Sequence, residues 1–463
     1  MGVLKTDSQN FFNWSNIWQL NVLAFLPTND SKYAVETLLL ILPSFFYMVY
    51  AVVLSSLLSH RSKTSLFLIE FLVIVVPVIA NVTVLSQYVT NVVVITCFIL
   101  GFHLVVSLLY MRVRNKKTIK TANKNTENKK DYITNCRATI NLISVVAILA
   151  VDFKIFPSKY SKTLKTGFSL MDVGVGLYVF ANGIVAPEVR GKKDSIKSSI
   201  FGSALLILIG LLRLVLTKLT HYRVSDTEYG VHWNFFMTLG FAKITSSFIL
   251  NVFSLKYVWV NAVLITISHE TLLQLSFKHW VFDSDDRSNI LNANKEGLVS
   301  YVGFAAIYLF SVYFAYNIRQ AERNYRNVNL RFLLITCCCL TMTFFCNYHF
   351  EVSRRLANAG YIFWILFIGF FMTWLFFLAE KGQHYLFKNK IKNYVCSPYL
   401  YEAINYNGLI FFLVGNVLTG LINLSITTSR VGNMNALMIL VVYMFINCGV
   451  VYWFYRKQWK LKL

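Results

Sequence analysis

The sequence predicts an all-α, polytopic integral membrane protein with about thirteen transmembrane helices. Three observations carry this reading. Of 463 residues, 56% are hydrophobic and 16% aromatic, and only 14% are charged, against about 25% charged in a soluble domain. The mean hydropathy is positive, at +0.54. Apolar runs of about 20 residues, enough to cross ~30 Å of hydrocarbon, recur as far as the C-terminus. Together these exclude a soluble enzyme, a secreted disulfide scaffold and a disordered chain.

Residues 1–34 form a polar and aromatic segment with no basic n-region or apolar h-region. The first span is therefore expected to act as its own signal anchor. Spans 35–58, 65–84 and 90–111 are dense in Val, Leu, Ile and Phe. A basic linker at 112–131 follows, with the Lys/Asn/Thr-rich string KNTENKKD. Span 138–153 is the shortest. Spans 167–187, 199–218, 232–252 and 257–276 each carry ionisable residues, and spans 298–317, 332–350, 358–379, 407–426 and 435–455 complete the set. With no internal repeat and no soluble insert, residues 1–463 read as a single multi-span domain.

Charge gives the orientation. Lys and Arg number 44 against 21 Asp and Glu, a net +23. In a membrane protein this excess points to basic cytoplasmic loops and anionic lipid headgroups rather than nucleic acid. The basic loops His60–Lys63, Arg112–Lys130, Arg190–Lys197, Arg319–Arg331, Lys381–Lys392 and Arg456–Lys462 all follow odd-numbered spans. The C-terminus is then cytoplasmic, and the N-terminus, with sequons at Asn13 and Asn29, lies on the opposite side. One loop breaks the rule. VDFKIFPSKYSKTLKTG, after span four, carries Lys154, Lys159, Lys162 and Lys165 against Asp152 alone. Either the topology differs there, or the lysines face an anionic substrate.

The eight cysteines form no CxxC pair and lie mostly in apolar stretches, so they are expected to be buried thiols. There is no Walker A loop, GxSxG elbow, HExxH motif or Cys/His metal spacing. No metal or prosthetic group is expected.

Ionisable side chains within hydrocarbon are costly unless paired or hydrated, so each is a site candidate. Asp172, Arg213 and Lys243 are expected to pair among themselves or to serve a site. His269 and Glu270, about 100° apart on a helix, suit packing or helix–helix hydrogen bonding. In TEYGVHWNFF (227–236), two readings stay open. Glu228 could orient His232 as a general base across an i,i+4 helical face. Alternatively, Tyr229 and Trp233, beside Asn234, form an interfacial aromatic belt. LNANKEG (291–297), with Asn294, is a further polar knot on the same predicted side. In VSRRLAN (352–358), Arg354 and Arg355 offer planar donor forks to a phosphate, or act as snorkelling anchors. In GNVLTGLINLS (415–425), Asn416, Thr419 and Asn423 share a helical stripe that suits helix–helix contact. Such knots fit an enzyme acting on a lipid headgroup. The alternative is a multispan lipid or solute transporter, although no inverted repeat is visible.

LAVDFKIFP, SLMDVGVGLYVFANGIV, TEYGVHWNFF, LNANKEG, VSRRLAN and TGLINL occur in this order. By these strings, residues 138–455 resemble the inositol acyltransferases of GPI-anchor biosynthesis, the phosphatidylinositol-glycan class W family with its fungal counterparts. The resemblance implies an enzyme of the endoplasmic reticulum membrane, with a lumenal N-terminus and a cytoplasmic C-terminus. It moves a fatty acyl chain, usually palmitoyl, from acyl-CoA as co-substrate to the inositol ring of glucosaminyl-phosphatidylinositol, without metal or other cofactor. It implies Asp152 and Lys162 as the acyl-transfer pair, with His232 the rival base from the residue-level reading. This chain has Lys154, Ser158 and Lys159 where the family tends to have proline after AVDF and two arginines after IFP. Substrate contacts are then expected from Lys154, Lys159 and Asp172, from Glu228, Tyr229, Trp233 and Asn234, and from Asn294, Arg354 and Arg355. Membrane lipids are the other expected partners.

Overall fold

The structure, a computed structural model, describes residues 29–58, 62–114, 130–192, 195–220, 225–324, 326–387 and 395–461. The Asn13 sequon, most of the basic linker and parts of the other basic loops lie outside the described residues. Among the described residues, thirteen helices are long and apolar enough to span a membrane. They are α1 (Lys32–Ser56), α2 (Lys63–Val82), α3 (Val84–Val106), α4 (Asp131–Ala150), α5 (Leu170–Arg190), α6 (Ile196–Leu219) and α7 (Phe235–Val252). After these come α8 (Leu255–Phe282), α9 (Lys295–Arg323), α10 (Val328–Phe350), α11 (Ala359–Tyr385), α12 (Gly408–Ser425) and α13 (Asn433–Arg456). No strand occurs among the described residues.

The count matches the hydropathy reading, but several helix ends do not, and two of these bear on the site. Helix α4 starts at Asp131 rather than 138, and so is not unusually short. The polar residues that interrupt its apolar run have partners from the segment before α12. Asn135 donates to the Cys396 carbonyl at 2.9 Å and Arg137 to Asn405 Oδ1 at 2.7 Å. Buried polar groups satisfied in this way no longer oppose a membrane helix. The helix stops at Ala150, which leaves Asp152 in the turn beyond it. Helix α7 begins at Phe235 rather than 232. The Asn234 side chain caps it, accepting from Phe236 N at 3.1 Å and Met237 N at 3.3 Å.

Helices α4, α5, α9 and α11 form the inner layer; α3, α6 and α10 are peripheral. The cysteines follow this division. Cys136, Cys339, Cys346, Cys396 and Cys448 are buried as expected, whereas Cys97 on α3 and Cys337 and Cys338 on α10 face outward. A thiol is apolar enough to sit on a lipid-facing surface.

The chain segments 151–169, 225–234, 283–294 and 351–358 interlock as one platform at one end of the bundle. Gly167 N donates to Val352 O at 2.8 Å, and Val231 N to Ala293 O at 2.8 Å. Gly297 N donates to Tyr229 O at 2.9 Å. Two glycines are required here. Gly230 has φ +114°, and a Cβ there would lie 2.6 Å from Asn294 Cα. A Cβ on Gly303 of α9 would lie 2.0 Å from the Ala357 carbonyl oxygen, so only glycine lets α9 approach the 351–358 segment. His269 and Glu270 of α8 brace that segment through Leu356 O at 2.9 Å and Ala359 N at 2.9 Å. This is the packing role expected of them.

Candidate active site

Beneath the platform lies a cavity of about 770 Å³. On α4 it is lined at Cys136, Thr139, Ile140, Ile143, Ser144 and Ala147, a stripe of helical period, and it continues past the helix end to Asp152. Cys136 to Ala150 corresponds to ~21 Å of helical rise, most of a bilayer's hydrocarbon thickness. Helices α5 and α11 supply apolar walls, with Gly174 and Gly369 among the lining residues. Between α6 and α12 the wall is also the protein's outer surface. Leu212, Leu216, Val417 and Leu421 line the cavity and are each more than half exposed. The cavity thus opens sideways toward the bilayer.

Charged residues collect at the platform end, where Asp152, Lys162, Arg213 and Glu228 all line the cavity. Asn423 of α12 donates to Asp152 Oδ2 at 2.8 Å. Burial pushes the Asp152 carboxyl above its ordinary pKa, opposed by the Asn423 hydrogen bond and the Lys162 charge. Lys162 donates to both Glu228 oxygens, at 2.6 and 2.7 Å. Burial alone would raise the Glu228 carboxyl, but the cations Lys162, Arg354 and Arg213 outweigh it and hold it below its ordinary value. Arg213 projects from α6 and, among the described residues, has no hydrogen-bond or ion-pair partner. It does not pair with Asp172 or Lys243, so the expected triad of intramembrane charges does not form.

Asp172 is fully committed to the fold. Its carboxylate accepts from Arg354 Nε at 2.8 Å, Ser169 Oγ at 2.8 Å and Thr163 Oγ1 at 2.7 Å, with Thr163 N at 3.2 Å. Asp172 and Arg354 are both buried, and the guanidinium sits 6.0 Å from the Tyr229 ring centre. Burial pushes the Tyr229 hydroxyl up to about 12. Arg355 donates to Leu164 O at 2.7 Å and Glu296 at 3.2 Å; Arg287 clamps the same glutamate at 2.7 and 2.8 Å. The tandem arginines therefore fasten the platform and do not line the cavity.

The i,i+4 helical face for Glu228 and His232 is absent, because residues 226–229 form a turn and α7 starts later. Glu228 bonds Lys162, and His232 is held by Asn294, whose Oδ1 accepts from His232 N at 2.9 Å. Neither His232 nor Asn294 lines the cavity. Trp233 does line it, with its Nε1 donating to Thr238 Oγ1 at 2.9 Å. Asn234 holds the end of α7 and donates to Gly210 O at 2.8 Å, so it serves the fold. Lys159 is ion-paired with Glu36 at 2.7 Å, and Lys154 is exposed away from the cavity. Of the residues singled out in the sequence, Asp152, Lys162, Arg213, Glu228, Tyr229, Trp233, Asn416 and Thr419 meet at the cavity.

The stripe on α12, expected to serve helix contact, proves divided. Thr419 meets Tyr443 of α13, at 3.3 Å, and also lines the cavity, as does Asn416, while Asn423 holds Asp152. Its i, i+3, i+7 spacing was the signal for an inward polar face.

The family model described as GWT1 matches residues 26–454. The chain belongs to the GWT1 family. It is 34% identical over 418 residues to GPI-anchored wall transfer protein 1 of Schizosaccharomyces pombe, covering 86% of this chain and 89% of that one. It is 30% identical over 442 residues to glucosaminyl-phosphatidylinositol-acyltransferase PIGW of Mus musculus, covering 83% and 86%. The Homo sapiens protein of that name is 29% identical over 462 residues, covering 88% and 92%. In this GWT1-family chain the match runs through both the platform and the cavity helices.

Proposed function

We propose that this protein is an acyltransferase of GPI-anchor biosynthesis, moving a fatty acyl chain from acyl-CoA to the inositol ring of glucosaminyl-phosphatidylinositol. The observation that carries this reading is the cavity itself. In a chain related to a named glucosaminyl-phosphatidylinositol-acyltransferase, a long apolar shaft ends at a carboxylate, two cations and a second carboxylate. The shaft suits an acyl chain of palmitoyl length, and the charged rim suits a headgroup. On this reading the protein works in the endoplasmic reticulum membrane, with the N-terminus and the platform lumenal and the C-terminus cytoplasmic.

In the reaction, an inositol hydroxyl oxygen attacks the thioester carbon and its proton passes to Asp152. The new C–O bond forms, the C–S bond breaks, and the proton leaves with the thiolate as CoA thiol. A carboxylate of ordinary pKa is a weak base for a hydroxyl, and burial of Asp152 raises its basicity toward that task. Lys162, once off Glu228, supplies the donor for the developing oxyanion. Arg213, the cation in the wall without a hydrogen-bonded partner among the described residues, takes the lipid phosphate.

The test uses microsomes lacking their own inositol acyltransferase, supplied with labelled palmitoyl-CoA and glucosaminyl-phosphatidylinositol. Acylated lipid from wild type but not from Asp152→Asn is the expected result. Equal product from both, with His232→Ala inactive, would move the base to His232. No product from well-folded wild type would favour lipid or solute transport.

A further inference from the structure

The two residues of the acyl-transfer pair are not joined in this structure. Asp152 is held by Asn423, while the Lys162 ammonium is bound through both oxygens of Glu228. Lys162 influences Asp152 only through its charge. For Lys162 to reach a reacting thioester, it must give up two short, charge-assisted hydrogen bonds. Glu228 lies partly buried in the cavity wall, so it is costly to leave its charge without a close partner. A cation that enters the cavity can take the place of the ammonium as it leaves, adding a direct contact to the more distant charges of Arg354 and Arg213.

The lipid named for the relatives brings such a group. A glucosaminyl sugar carries a primary amine, protonated near neutral pH, beside the ring that receives the acyl chain. We propose that Glu228 is the amine subsite of this cavity: the sugar ammonium displaces Lys162 from Glu228 and so frees Lys162 for the acyl-transfer step. This rests on the lipid substrate of the preceding section and assigns the group by which that lipid is recognised. The N-acetylated form of the sugar has a neutral amide in this position and cannot exchange with an ammonium. The site therefore favours the amino lipid over the acetylated one by charge, with Glu228 as the discriminating group.

The surroundings fit this division of labour. Arg213 lies in the same wall and acts on Glu228 through its charge, so a phosphate and an amine can be held side by side. The turn that carries Glu228 is tied at its backbone, with Gly230 N donating to Asp226 O at 2.9 Å and Gly297 N to Tyr229 O at 2.9 Å.

The experiment measures equilibrium binding of glucosaminyl-phosphatidylinositol and its N-acetylated form to the full-length protein in lipid nanodiscs. Acylation from palmitoyl-CoA is followed in parallel. Wild type should prefer the amino lipid by about tenfold or more, as expected for a charged against a neutral partner. In Glu228→Gln, the preference should fall to near parity, and Glu228→Asp should restore part of it. Lys162→Met should bind the amino lipid more tightly than wild type while losing turnover, because the internal competitor is gone. A merely structural Glu228 would not give that gain. An unchanged preference in Glu228→Gln, no preference in wild type, or weaker binding by Lys162→Met would each overturn the proposal. Amine-selective binding without acylated product from wild type would support the subsite and overturn acyl transfer.

Discussion

At Asp152, two effects oppose each other. Burial favours the neutral acid, whereas the Asn423 hydrogen bond and the Lys162 charge favour the carboxylate. Asn423→Leu removes one of the stabilising partners, so the pKa of Asp152 in the folded protein rises further. The acidic limb of the kcat profile should then move to higher pH, with activity lost near neutrality and recovered on the alkaline side. A full pH profile checks this, and a limb that stays in place would separate Asn423 from the base. Asp152 and Lys162 were legible through the motif LAVDFKIFP and the lysine ten residues on. Asn423 was not, because it stands 271 residues away in sequence and looked like a helix-contact residue. The tandem arginines misled in the opposite direction. A fork of donors that suits phosphate equally suits Asp172 or Glu296, and one sequence does not distinguish an internal carboxylate from a ligand.

The same confusion has consequences for the elements. Asp172 ties the first turn of α5 to the 351–358 segment through Arg354, and both partners are buried. Asp172→Asn leaves a buried guanidinium without its counter-ion and should cost roughly 3–5 kcal/mol. Thermal unfolding of the detergent-solubilised protein would show the loss, and adding Arg354→Leu should recover part of it. Gly230→Ala forces a Cβ into Asn294 at an unfavourable φ. It should displace the Glu228 turn, and the loss of lipid binding should exceed the loss of stability when both are measured. Hydropathy was enough to find the thirteen helices, because twenty consecutive apolar residues leave few alternatives. It was not enough for the ends of α4 and α7. There, Asn135 and Arg137 extend a helix through remote partners, and the Asn234 cap delays one.

At the scale of the molecule, the cavity gives the arrangement its depth. Along α4, Ser144 lies ~9 Å and Cys136 ~21 Å from the Ala150 end of the helix, next to the charged rim. A Cβ on Gly174 would meet only Ser144 Oγ, at 3.6 Å, so a larger side chain there has room to grow into the shaft. Gly174→Leu should shorten the shaft near its middle. Use of palmitoyl-CoA should fall severalfold, with octanoyl-CoA largely spared, as read by mass spectrometry of products from mixed donors. A uniform drop for every chain length would mean that the acyl chain lies elsewhere. None of this depth was visible in the sequence, where the lining residues of seven helices are indistinguishable from ordinary core.

The gap between α6 and α12 sets the kind of concentration to which the protein responds. A lipid that reaches the charged rim through that gap never passes through water, so its encounters occur in two dimensions. The governing quantity is then its mole fraction in the bilayer, not its amount per volume. With acyl-CoA kept saturating, diluting the membrane with inert phospholipid at fixed total lipid substrate should slow the reaction as enlarging the vessel slows a solution enzyme, while adding buffer should leave it unchanged.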